Sequence, residues 1–280
     1  MIGRALVKVV KCTVALGTLL AGGAAACVEI GTAPSEAAAI ELTPFASPSI
    51  VIGDTLRDIN GVLAPITAIV RNVRGEIITD APVRFLYADF TRDSALVVDS
   101  ASGFVRAVRV AKGEARIAAR VGTTLQVLRT LVVTTRPDTM GVTGTVAELV
   151  TAVPDTARLN NNPNISAPIS VDVRHLEPAA ATGVNAWLVR FRLIKPSNPG
   201  NDTTGAAFLV NSSGRPSVID TTDAGGSASR RVRVRAALFP AAGVAVDTVA
   251  VEVTTSYRGR PVLGAPDTVF VRVRRGAGVP

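Results

Sequence analysis

The 280-residue sequence predicts an all-β chain built as two antiparallel β-sandwiches in tandem, and three observations carry that expectation. Apolar and polar residues alternate with period 2 from Ile40 onward: Ile66, Ala68 and Val70 share one face of a strand, as do Val83, Phe85 and Tyr87. The phrase Ala64-Pro65-Ile66-Thr67-Ala68-Ile69-Val70-Arg71 returns as Ala167-Pro168-Ile169-Ser170-Val171-Asp172-Val173-Arg174. Val83-Arg84-Phe85 likewise returns as Val189-Arg190-Phe191. The offsets, 103 and 106 residues, are the length of a sandwich rather than of a solenoid repeat. Turn signals recur at short spacing: Asn60-Gly61, Arg74-Gly75, Lys112-Gly113, Gly225-Gly226 and Arg258-Gly259.

Taken from the N-terminus, the first segment reads as an export signal covering residues 1–26. Arg4, Lys8 and Lys11 precede a short apolar run, Cys12 to Gly23, and Ala24-Ala25-Ala26 supplies small residues before Cys27. That run is too short and too rich in Ala and Gly for a spanning helix. Ala24-Ala25-Ala26-Cys27 looks like the lipobox of a bacterial lipoprotein, with Ala24 where such boxes usually carry Leu. The resemblance implies acylation of Cys27, with residues 27–37 as the tether. Ordinary signal peptidase cutting at the same bond, leaving a free thiol, is the alternative. Cys12 leaves with the signal, so no disulfide is expected in the folded part.

Domain 1 is expected over 38–135 and domain 2 over 136–280, opening with Arg136-Pro137-Asp138. The first strand of domain 2 is placed at Thr145 to Val153, where β-branched residues dominate. The Asn160-Asn161-Asn162-Pro163-Asn164 cluster reads as an ordinary turn. Near the end, Val249, Val251 and Val253, and then Val269, Val271 and Val273, mark two further half-buried strands.

Within domain 1, Ala95 to Asp99, Ser102-Gly103-Phe104-Val105-Arg106-Ala107-Val108 and Gly113-Glu114-Ala115-Arg116-Ile117-Ala118-Ala119 resemble group 2 bacterial immunoglobulin-like domains. Thr222-Asp223-Ala224-Gly225-Gly226-Ser227-Ala228 is similar to the turn of group 1. The resemblance covers most of 40 to 135 and 165 to 275. Domain 2 departs from it in a longer Pro196 to Thr204 loop and a longer closing hairpin, Asp247 to Arg275. It implies two immunoglobulin-like sandwiches on a bacterial envelope, of the kind found in invasin- and intimin-type surface proteins, and it brings no catalytic residue.

Charge and residue types narrow the chemistry. Of 30 Lys and Arg, three fall in the signal, leaving 27 against 22 acids, and the arginines are dispersed through strands rather than gathered in a block. Nucleic acid is therefore not expected as a partner. His175 is the single histidine and reads as a strand-end polar residue, since a catalytic or metal site needs several converging groups. Asp89, Asp93, Asp99, Asp220 and Asp223 lie at turns, where a carboxylate caps backbone amides. Asp54, Asp58 and Asn60 before Gly61 are a sharper alternative as a calcium loop, though the third acid and closing Glu are missing. No catalytic residue, metal or cofactor is assigned. Trp187 shares the parity of Val189 and Phe191 and is expected in the core, which leaves Tyr87 and Tyr257 as candidate exposed rings.

The polar feature that stands out is the arginine rows. Arg190 and Arg192, and Arg272 and Arg274, alternate with apolar residues and so point away from the core. In an immunoglobulin-like sandwich their strands flank the sixth, so the two rows are expected to form one basic face around Glu252. The functional expectation is a non-catalytic, lipid-anchored envelope module that adheres, docks or spaces, with a protein or polysaccharide partner at the cell surface. The alternative is an accessory module that binds sugar or anionic polymer through the basic face of domain 2.

Overall fold

The structure, a computed structural model, describes residues 36–89, 94–110, 114–144, 146, 148–153, 164–178 and 180–279. In the first sandwich, β1 (Ala37–Leu42) runs antiparallel to β3 (Ala68–Asn72). Pro44 and Pro48 break the first strand, because proline donates nothing to a ladder. The chain then crosses to the other sheet as β2 (Ser49–Val51), parallel to the last strand, β8 (Leu125–Thr134). That sheet continues through β7 (Ala115–Val121) to β4 (Val83–Tyr87), while β5 (Leu96–Val98) pairs with β6 (Val105–Ala107).

The second sandwich repeats this route. Its first strand, β9 (Thr139–Thr143), runs antiparallel to β11 (Ile169–Leu176), and β10 (Leu149–Val150) crosses over to run parallel with β20 (Asp267–Arg274). The expected first strand at Thr145 to Val153 is thus the second: Met140, buried at 4%, starts the module one strand earlier. A five-stranded sheet runs β10-β20-β17-β13-β15, where β13 is Leu188–Lys195, β15 Ile219–Thr221 and β17 Val246–Thr254. Facing it are β12 (Ala181–Gly183), β11, β16 (Ser227–Val234) and β14 (Ala207–Val210). Both modules have the immunoglobulin-like arrangement, with the first strand split between the two sheets. A short hairpin, β18 (Ser256–Tyr257) and β19 (Arg260–Pro261), caps the loop between β17 and β20.

The repeated phrase is a core strand in each module. Ile66 and Val70 of the first and Ile169 and Val173 of the second are all 2% exposed or less, and Phe85 and Phe191 occupy matching places against them. The turns between strands share one device. Asp58, Asn72, Asn211 and Asp223 each accept two backbone N–H bonds through Oδ1, from the residues two and four positions on. The glycine three positions on has φ between 73° and 84°, the left-handed region that only glycine enters freely.

Sheet edges are closed by side chains. The Asn201 amide bonds both the N–H and the C=O of Leu209 on edge strand β14, and Asn164 does the same for Ala152. Arg230 points inward with Ala228 and Val232 and is 6% exposed. It lies between the sheets, paired with Asp220 at 2.8 Å and bonded to Ser217 Oγ and the carbonyls of Ile219 and Ser229.

Candidate interaction surfaces

The two sandwiches meet end to end, and the junction is the most highly organised polar cluster among the described residues. After β2 the chain turns through Gly53 and runs beside β6, leaving Asp54 only 5% exposed. Its carboxylate accepts from Thr55 N at 2.8 Å, from Arg57 Nε at 3.2 Å, and, across the junction, from Arg258 Nε at 2.8 Å. Burial pushes the Asp54 carboxyl up, but the hydrogen bonds from Arg258, Arg57, Thr55 and Tyr257 outweigh it and hold the group at about 2. Tyr257 moves the other way: burial raises it, and the neighbouring Asp54 charge raises it further.

Arg258 reaches Asp54 from the tip of the β18–β19 hairpin, where Arg258 (φ 52°) and Gly259 (φ 76°) form a two-residue turn of the mirror-image type. A non-glycine residue there is strained, by on the order of 1–2 kcal/mol, so the side chain's ion pair accompanies an unfavourable backbone. Its guanidinium also lies 5.2 Å above the Tyr257 ring, which packs on Trp187 at 6.3 Å between centroids. Trp187 is half-buried: it packs against the core of the second sandwich, as its parity suggests, and also faces the junction; its Nε1 donates to Thr255 Oγ1 at 2.9 Å. It directly precedes β13, at the end of the sandwich that abuts the neighbouring module, which leaves it only partly covered.

Further bonds join the modules. Ser49 Oγ donates to Ala186 O at 2.7 Å, Ser256 Oγ to Ile59 O at 3.3 Å, and Arg190 Nη2 to Asn60 Oδ1 at 3.2 Å. A Cβ added at Gly61 would lie 2.0 Å from the Gly259 nitrogen, so the backbones touch. The linker is held as well: Asp138 accepts from His175 Nδ1 at 2.5 Å, from Leu176 N at 2.9 Å and from Arg136 Nε at 2.6 Å. Among the described residues, Asp138 is the hydrogen-bond partner of His175, and no hydroxyl joins the pair.

Asp54, Asp58 and Asn60 do not converge as a cation site would require. Asp54 faces arginines, Asp58 caps its turn, and Asn60 accepts from Arg190. Asp99 and Asp223 cap turn amides; Asp89 and Asp220 accept from Arg116 N and Ser229 N and pair with Arg116 and Arg230. Cys27, Asp93, the Lys112-Gly113 turn and Asn160 to Pro163 lie outside the described residues.

Arg190, Arg192, Arg272 and Arg274 share the outer face of the five-stranded sheet, but as two separate pairs. Arg192 stands opposite Glu252 and binds it with both arms at 3.1 Å, whereas Arg272 stands opposite Thr248, four residues along β17 from Glu252 and so about 13 Å away. Arg272 and Arg274 instead approach Glu148 at 3.7 and 3.4 Å. Glu148 escaped notice in the sequence because it lies ahead of a two-residue strand with no alternation to place it. Phe270, 65% exposed, stands between the two rows on the same face.

No family model matches the chain, and no curated protein matches it. Among solved structures, the S-layer protein rSbsC is similar at 16% identity over 88% of this chain and 29% of that one, with a TM-score of 0.30. The Yersinia pseudotuberculosis adhesin InvE is similar at 14% identity over 87% of this chain and 61% of that one, with a TM-score of 0.31. The D0-D1 domain of intimin is similar at 13% identity over 83% and 98%, with a TM-score of 0.28. The chain thus spans less than a third of the S-layer protein's length.

Proposed function

We propose that this protein is a non-catalytic envelope module: two immunoglobulin-like sandwiches, braced end to end, that present docking faces at a cell surface from a lipid anchor at Cys27. The observation that carries this reading is the junction. A buried carboxylate, two arginines and a strained hairpin tip brace the modules against each other, which suits a spacer or adhesive arm more than a flexible tether. The described carboxylates around it are committed to arginines and turn amides, and His175 to the linker, so they are not poised for acid–base work. Polymer binding through the arginine face of the second sandwich has weaker support, because Arg192, Arg272 and Arg274 each face a carboxylate.

The test is the intact mass of the N-terminal peptide from a membrane fraction, beside a Cys27→Ala form. A diacylglyceryl mass on Cys27, lost together with membrane association in the variant, is the expected result. An unmodified Cys27 on a soluble protein overturns the anchor.

A further inference from the structure

The outer face of the β2-β8-β7-β4 sheet breaks a rule that the second sandwich obeys. Register places Arg84 directly opposite Arg120, which stands opposite Gln126. Like charges facing each other across an antiparallel pair are destabilising. The Arg120 side chain leans on the carbonyls of Gly122 and Thr123, and the Arg84 side chain makes no hydrogen bond or ion pair among the described residues. No strand of this sheet carries a carboxylate on the face. Beyond the strands, Asp89 at the other end is bound to Arg116 at 2.6 Å and Glu114 precedes β7, while at the Arg84 end Asp80, three residues ahead of β4, is exposed and not paired with Arg84.

The next row, two residues along the strands and so about 6.6–6.8 Å away, is Leu86, Ala118 and Leu128. Aligned on Phe85 and Phe191, those three positions in the second sandwich hold Arg192, Glu252 and Thr268, an ion pair and a hydroxyl. The first sandwich therefore has an apolar row where its sister has an internal salt bridge. Leu86 and Leu128 are 38% and 48% exposed and flank Ala118, which is 2% exposed beneath them, so the row is an apolar strip on the outer face.

We infer that this face docks an extended segment of a partner protein that carries a carboxylate at one position and an aliphatic side chain two residues away. The carboxylate bridges Arg84 and Arg120, removing the repulsion between them, and the aliphatic group covers the exposed Leu86 and Leu128 side chains. The two rows are spaced as successive side chains on one face of a strand are. Aliphatic rather than aromatic side chains disfavour a sugar ring, and two guanidiniums fixed one row from the leucines suit a carboxylate held at a set spacing from an aliphatic group better than fluid acyl chains. A second copy presenting the same face sets arginine against arginine. The inference rests on the docking reading above and names its face and partner chemistry.

The test uses the mature chain carrying Cys27→Ser, so a failure here leaves the lipid anchor untouched. A capped peptide alternating Thr with Glu and Val is titrated while backbone amides are followed by NMR, beside a peptide with Lys in place of Glu. Saturable shifts confined to residues 84–86, 118–120 and 126–128, seen only with the Glu peptide, are expected. Arg84→Gln with Arg120→Gln should weaken binding about tenfold or more, and Leu128→Ala about threefold or more. Arg192→Gln should leave binding unchanged. No saturable shift at millimolar peptide, equal response to the Lys peptide, or occupation of the face by dextran sulfate or phosphatidylglycerol vesicles but not by the Glu peptide overturns the inference.

Discussion

Replacing Asp54 by Asn keeps the side chain's shape and removes its charge, which isolates the electrostatic part of the junction. A carboxyl held at about 2 against 3.8 for an unperturbed aspartate corresponds to about 2.5 kcal/mol in favour of the charged form. Asp54 is buried, but the Arg258 side chain is 52% exposed, so solvent screens part of that. The expected loss at pH 7 is therefore about 1–2.5 kcal/mol. Because the folded-state value is depressed, the stabilisation is complete above about pH 4 and is lost as pH falls through 2. The gap between the native protein and Asp54→Asn should accordingly narrow from pH 4 downward. Urea unfolding followed by the fluorescence of Trp187, which sits at the junction, measures that gap at pH 7, 4 and 2.5. A gap under about 0.5 kcal/mol at pH 7, or one that stays constant down to pH 2.5, refutes the argument that this ion cluster braces the two modules.

Three further outcomes follow from the packing. Arg230→Ala leaves Asp220 without its guanidinium and empties the space between the sheets, and should cost about 3–5 kcal/mol in urea unfolding, far more than the surface change Arg231→Ala. Asn201→Ala strips both bonds from Leu209 and should cost about 1–3 kcal/mol. Light scattering should show more association as the β14 edge opens. Gly61→Ala and Gly53→Ala both place a side chain at positive φ, but only at Gly61 does the new methyl collide with the Gly259 backbone. Gly61→Ala alone should therefore increase the radius of gyration in small-angle scattering, and equal expansion in both variants sinks the claim of backbone contact at the junction.

Much of this molecule was legible one strand at a time. Alternation placed Val249, Val251, Val253 and Val269, Val271, Val273 correctly because each strand's pattern reports its own burial. The turns at Asn60-Gly61 and Gly225-Gly226 were legible for the same reason: the Asx oxygen, the two amides it caps and the glycine at positive φ lie within five residues. The first strand of the second sandwich was placed too late because Thr139 to Thr143 is interrupted by Gly141 and shows no longer alternation than the stretch that follows. Arg230 went unnoticed because, in a run of four arginines among six residues, nothing local distinguishes the inward one from its neighbours.

Sequence by itself determined the β class, the internal repeat and the parity that sends Arg190, Arg192, Arg272 and Arg274 outward, since these depend on periods of two residues and on turns of five. Only the tertiary structure decided what those residues meet. Asp54 and Arg258 are 204 residues apart, and Arg84 faces Arg120 while Arg192 faces Glu252, because strand register and module docking are set by long-range packing that no local pattern encodes.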